Sequence, residues 1–132
     1  MTPASPRGAS WPPRPVLVVE DDDALREVLS EILTEEGFLV RTAADGLEAL
    51  EQLRGQLRPC AVLLDWLMPR LDGPGLLQRL EEQGALNGLT IVVTTQHPGP
   101  ISHERVAHVL RKPYDIEDLL PLLDRYCGPG MA

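Results

Sequence analysis

A chain of 132 residues with 43% apolar content suits one folded domain with a single core and a short tail to spare. Its net charge of −8 at neutral pH works against nucleic acid or an anionic membrane as partner, since both would be repelled. No stretch approaches a membrane span, and the N-terminus lacks the apolar run of a signal peptide, so a soluble cytoplasmic protein is expected.

The two cysteines, Cys60 and Cys127, make no disulfide framework and are read as separate thiols suited to a reducing compartment. Of twelve basic residues, Lys112 is the only lysine. A coding bias accounts for the arginines. It makes the surviving lysine more informative, because a planar guanidinium does not replace a compact ammonium in a tight site.

Residues 1–14 carry Pro3, Pro6, Pro12 and Pro13 among small residues, with Trp11 as the one large apolar group. Such a segment buries too little to offset its ordering entropy, so a disordered tail is expected there. A folded domain should span 15–127, followed by a C-terminal tail at 128–132. The first strand is expected at 16–20. A helix follows, capped by Asp22 or Asp23, with Leu25, Val28, Leu29, Ile32 and Leu33 on one face and Gly37 as its stop. A more polar strand at 38–42 suits a sheet edge. Asp45 caps a second helix, whose face is Leu47, Leu50 and Leu53, ending at Gly55.

The third strand is predicted at 60–65 and the third helix at 75–82, with Leu76, Leu77 and Leu80 inward. Strands at 89–95 and 108–111 follow. The last helix, 116–126, packs Leu119, Leu120 and Leu123, takes Pro121 with a distortion and stops at Gly128. Between the fourth and fifth strands, Pro98, Gly99 and Pro100 exclude a helix before Ile101. Ser102 caps a turn and a half there at most. Alternating short apolar strands and helical patterns make a three-layer α/β fold around a parallel sheet.

In such a sheet all strands point their C-terminal ends to one edge, where ligands bind. Glu20-Asp21, Asp65, Thr94-Thr95 and Lys112 each follow an apolar run, so they converge there. Crowded carboxylates repel and call for a cation, and an all-oxygen set selects magnesium, with manganese as the alternative. Taken alone, residues 20–23 read as an acidic helix N-terminus, and Asp65 as a turn residue.

The positions also match a pattern. Val18-Val19-Glu20-Asp21-Asp22, then Leu63-Leu64-Asp65-Trp66-Leu67-Met68-Pro69 with Asp72-Gly73, then Val93-Thr94-Thr95 and Lys112-Pro113 resemble the receiver domain of two-component response regulators. The resemblance covers about residues 15–126. It implies a doubly wound, flavodoxin-like sheet in the order 2-1-3-4-5. It also implies that Asp65 takes a phosphoryl group from a sensor histidine kinase or a histidine phosphotransfer protein. Asp21 then binds Mg²⁺ directly and Glu20 through water, while the backbone carbonyl of Leu67 completes the protein ligands. Lys112 pairs with Asp65 and then with the phosphoryl group, across a Lys-Pro bond that is commonly cis. Thr95 supplies the switch hydroxyl; Thr94 is the alternative, but strand alternation favours Thr95.

Departures from the family are as informative. Gln96 stands where a small residue is usual, and Val109 where an aromatic is. His97 is either a solvated loop imidazole or a group that steers water at the phosphoaspartate. Trp66 reads as a half-exposed lid. The expected function is therefore a stand-alone receiver that catalyses its own phosphorylation and signals by protein contacts to a downstream target, without the family's usual dimer. The alternative is a phosphorylation-independent interaction module. An aspartate-dependent phosphatase lacks the second acid it would need, since residue 67 is Leu.

Overall fold

In the computed structural model, which describes residues 13–55, 58–97 and 99–128, the apolar runs become five strands. They are β1 (Pro15–Val19), β2 (Leu39–Ala43), β3 (Ala61–Asp65), β4 (Ile91–Thr95) and β5 (Val106–Arg111). All pairings are parallel, in the order β2-β1-β3-β4-β5. Composition accords with the strands' places: β3 and β4 are buried throughout and β1 from Val16 on, whereas the mixed sequence of β2 lies at an edge with Leu39 exposed.

Among the described residues, four helices cover the sheet: α1 (Asp23–Glu35), α2 (Gly46–Arg54), α3 (Gly73–Glu82) and α4 (Ile116–Cys127). Leu29 and Leu33 of α1 pack with Leu119 and Leu123 of α4 on Val16, Val18, Leu63 and Val92. The opposite face joins Leu50 and Leu53 of α2 and Leu76, Leu77 and Leu80 of α3 to Leu17, Val62, Leu64 and Val93. Asp22 and Asp45 cap α1 and α2 as expected, accepting from the Leu25 and Glu48 amides. Asp72 caps α3, which therefore starts two residues earlier than expected, with Pro74 in its first turn. Two expected core residues are exposed. Val28 and Leu47 lie on the flanks of their helices, and Ala49 takes the inward position on α2.

Among the described residues no helix forms between β4 and β5; Pro98 itself lies outside them. Instead β5 begins two residues earlier than expected, across a register shift at Ile91/Val92. Also among the described residues, no helix is long and apolar enough to cross a membrane.

Two features at the sheet's N-terminal edge correct the sequence reading. Arg14, placed in the tail by its composition, is buried. It donates to Asp124 Oδ1 (2.8 Å), Gly128 O (2.9 Å) and Glu36 O (2.8 Å), and its guanidinium lies 3.7 Å from the Phe38 ring centroid. Trp11 and the rest of the expected tail up to residue 12 lie outside the described residues. Cys60 and Cys127, read as separate thiols, form a disulfide with a Cα–Cα distance of 5.1 Å. The reason is topological: α4 runs antiparallel to the strands, so its last residue arrives where β3 begins. The pair thus gives no argument for a reducing compartment.

Closing a loop of 67 residues restricts the unfolded chain by about 4 kcal/mol in the chain-entropy account. Reduction should accordingly lower Tm by roughly 10 °C or more, and Cys127→Ser should melt at the same temperature with and without dithiothreitol. Calorimetry under both conditions checks this.

Candidate functional site

Each strand end delivers one part of the site. Glu20 continues β1, with its amide donating to Ala43 O (3.0 Å), and is buried; its Oε2 accepts from the Asp22 amide (3.1 Å). Arg26 of α1 reaches back to the Glu20 carbonyl (2.8 Å), which ties the helix to the strand end. Asp65 is the last residue of β3 and is buried, while Asp21 is exposed. One carboxylate oxygen from each of Glu20, Asp21 and Asp65 lies within 4.8 Å of the others.

Lys112 leaves β5 with its amide donating to Thr95 O (2.8 Å), and its bond to Pro113 is cis. Its ammonium lies 2.8 Å from Glu20 Oε1 and 3.6 Å from Asp65 Oδ2. Glu20 is thus the closer partner, where the sequence reading paired Lys112 with Asp65.

These groups line a cavity of about 290 Å³ together with Leu67, Thr95, Gln96 and His97. Thr94 is buried but does not line it, so Thr95 is the hydroxyl at the site. Thr95 Oγ1 accepts from the His97 amide (3.0 Å). The His97 imidazole is exposed, and its Nδ1 accepts from the Gly99 amide (2.9 Å). Trp66 is half-buried and packs on the core, so it is more than a lid.

Sequence reasoning missed two neighbours. The Tyr114 hydroxyl is buried without a hydrogen-bond partner. Burial, then the charges of Glu20 and Asp65, push that phenol up to about 12. An aromatic two residues past Lys112 was the available signal. The Arg26 link to Glu20 left none, because it uses a main-chain acceptor.

The electrostatics are those of crowded anions. Burial, a hydrogen bond with Asp21 and the charge of Glu20 push Asp65 up to about 7, against the pull of Lys112. Burial pushes Lys112 down, but the Glu20 and Asp65 carboxylates outweigh it and hold the ammonium above its ordinary value. Three carboxylate oxygens, with a loop backbone alongside, fit a hard divalent cation taking oxygen ligands.

Without metal, folded Asp65 keeps its proton up to about pH 7, whereas the unfolded chain loses it near 3.8. The folded state therefore binds more protons in that window, and stability should fall as pH rises through it. In EDTA, the melting temperature should decline from pH 5 to pH 8. Asp65→Asn should flatten the decline and melt higher than wild type at pH 8; an unchanged slope would assign the titration to another group.

The family model described as the response regulator receiver domain matches residues 16–124. Response regulator MprA of Mycobacterium ulcerans is 41% identical over 112 residues, covering 80% of this chain and 46% of that protein. MprA of Mycobacterium avium is 40% identical, with 80% and 47% covered. The chain spans about half the length of these relatives. Among solved structures, a CheY-like receiver domain protein from Methanospirillum hungatei superposes with a TM-score of 0.79 at 28% identity, covering 86% of this chain and 94% of that one. The receiver domain of a sensor histidine kinase from Pseudomonas aeruginosa has a TM-score of 0.78 at 25% identity, covering 89% and 99%, and holds a magnesium ion in its active-site cleft. A family match that runs from the first strand to the last helix leaves one assignment: the chain belongs to the receiver domains of response regulators.

Proposed function

We propose that this receiver accepts a phosphoryl group on Asp65 from a phosphohistidine of a sensor kinase or phosphotransfer protein, in the cytoplasm, and passes the signal to a downstream protein. The observation that carries the reading is the meeting of three carboxylates within 4.8 Å with an ammonium 3.6 Å from Asp65. An Asp65 carboxylate oxygen attacks phosphorus as the P–N bond to the donor imidazole breaks, and the imidazole leaves with a proton from solvent. Glu20, Asp21, Asp65 and the Leu67 backbone are the groups that would hold Mg²⁺, which would supply charge neutralisation for the transferring group. Lys112 follows the charge from carboxylate to phosphoryl oxygen. Thr95 donates its hydroxyl to the same group.

Readout follows from the Thr95 contacts. His97 is held through its amide by Thr95 and through its carbonyl by the Arg111 guanidinium. A turn of the Thr95 hydroxyl towards phosphate would therefore move the loop that begins at Gln96, whose described residues form no helix. A partner would contact that loop together with α1 or α4. The second reading, a phosphorylation-independent interaction module, is favoured by two observations: Val109 offers no ring to rotate, and the helix that usually carries output is absent among the described residues.

Intact mass after incubation with Mg²⁺ and a small phosphodonor separates the two. One phosphoryl adduct is expected on wild type and none on Asp65→Asn. Lys112→Arg should be phosphorylated roughly tenfold more slowly, since the forked guanidinium does not fit between Glu20 and Asp65. No adduct on wild type would favour the interaction module. With beryllofluoride as the phosphoryl mimic, amide exchange should change across 96–107. Unchanged protection there, with changes confined to α4, would refute the loop readout.

A further inference from the structure

The loop that follows Asp65 is fastened at three points away from the carboxylates. The Gly73 amide donates to Trp66 O (2.9 Å), which closes the loop at its base. The Gly46 amide, at the first residue of α2, donates to Leu71 O (3.1 Å). Arg70 Nε and Nη2 each lie 2.7 Å from Asp45 Oδ2. Asp45 is buried and spends its other oxygen on the α2 cap, accepting from the Glu48 amide (2.9 Å).

Two observations show that the backbone here is shaped to the contact. Arg70 has a φ of 68°, the one left-handed non-glycine residue among those described. A Cβ at Gly46 would stand 2.1 Å from Leu71 O, so only glycine admits the loop this close to α2. Leu67 lies between the fastenings, with Trp66 before it and Arg70-Leu71 after it, and it lines the carboxylate cavity.

We propose that Arg70 and Asp45 are positioning residues for the divalent cation: their ion pair holds the loop so that the Leu67 backbone stays in register with Glu20, Asp21 and Asp65. This rests on the reading of the site as a Mg²⁺-dependent phosphoryl acceptor. Asp45 is buried but Arg70 is more than half exposed, so water can take the place of the guanidinium and loss of the pair should cost little global stability. Its loss should therefore weaken cation binding while leaving the melting temperature nearly unchanged, a split that a merely structural role would not produce.

The test titrates the full chain with MgCl₂ and follows fluorescence in a Trp11→Phe background, where Trp66, beside Asp65, is the reporter. Arg70→Gly removes the pair and accepts the left-handed backbone; Asp45→Asn removes the charge and keeps the helix cap. Each should raise the Mg²⁺ dissociation constant roughly three- to tenfold, with Tm within about 3 °C of the background. The double variant should be no weaker than the weaker single by more than about twofold, because both remove one interaction. Arg70→Lys should restore part of the affinity. Dissociation constants within twofold of the background in both single variants would overturn the proposal while the site reading stands. A background protein that shows no saturable Mg²⁺ response would overturn the site reading and this proposal with it. Should Asp45→Asn fail to fold, Arg70→Gly decides alone.

Discussion

Lys112 stands 2.8 Å from Glu20 and 3.6 Å from Asp65, and its ammonium is what lets two buried carboxylates share the edge of a parallel sheet. Like charges about 4 Å apart repel by about 4 kcal/mol at an effective dielectric of 20, so the arrangement is costly without compensation. With Asp21 included, the three ionised carboxylates and one ammonium leave a charge of −2. A divalent cation cancels that remainder; without it, Asp65 does so in part by holding a proton up to about pH 7. Lysine at 112 is thus tied to the carboxylates it balances, in a chain that otherwise uses arginine for every basic position.

The same parallel topology separates fastening from chemistry. Helices return antiparallel to the strands, so the end of α4 and the start of β3 meet at the edge opposite the carboxylates. There Arg14 joins Glu36, Asp124 and Gly128, and Cys60 joins Cys127. These contacts hold the first strand and the last helix without touching the site. At the carboxylate edge the loop after β3 is held by backbone hydrogen bonds and by the Arg70–Asp45 ion pair.

The strands, the helix faces and the grouping of the cavity's polar residues were legible in the sequence, because buried strands write themselves as short apolar runs and each run ended on a polar residue; the strand order came with the receiver resemblance. Glu20, Asp21, Asp65, Thr95 and Lys112 needed no tertiary information to be grouped. What was not legible depended on meetings between distant segments. Cys60 and Cys127 are 67 residues apart, and neither spacing nor composition signals that a helix end arrives at a strand start. Arg14 lay in a proline-rich context that reads as a tail, yet its guanidinium finds three oxygens and an aromatic face. Val28 and Leu47 were assigned to helix faces by apolar character; a stripe of limited width leaves residues at its flank in solvent.

Between β4 and β5 no helix forms among the described residues, and the sheet is left partly bare there. Pro98, Gly99 and Pro100 deny this segment helical hydrogen bonds, so Val106 and Val109 on this face of the sheet are only half-buried. Part of the missing cover comes from His103, whose ring meets Trp66 edge-on at 6.3 Å and 76°. Trp66 in turn fits against Gly73, where any Cβ would lie 2.5 Å from its ring. The loop therefore touches the surroundings of Asp65 at both of its ends, through His97 on Thr95 and through His103 on Trp66, the residue directly after Asp65. A helix would hold those two contacts apart as a rigid body. Contacts at both ends let a change at Asp65 reach this segment from either flank, so the chain keeps a physical route from Asp65 to the surface.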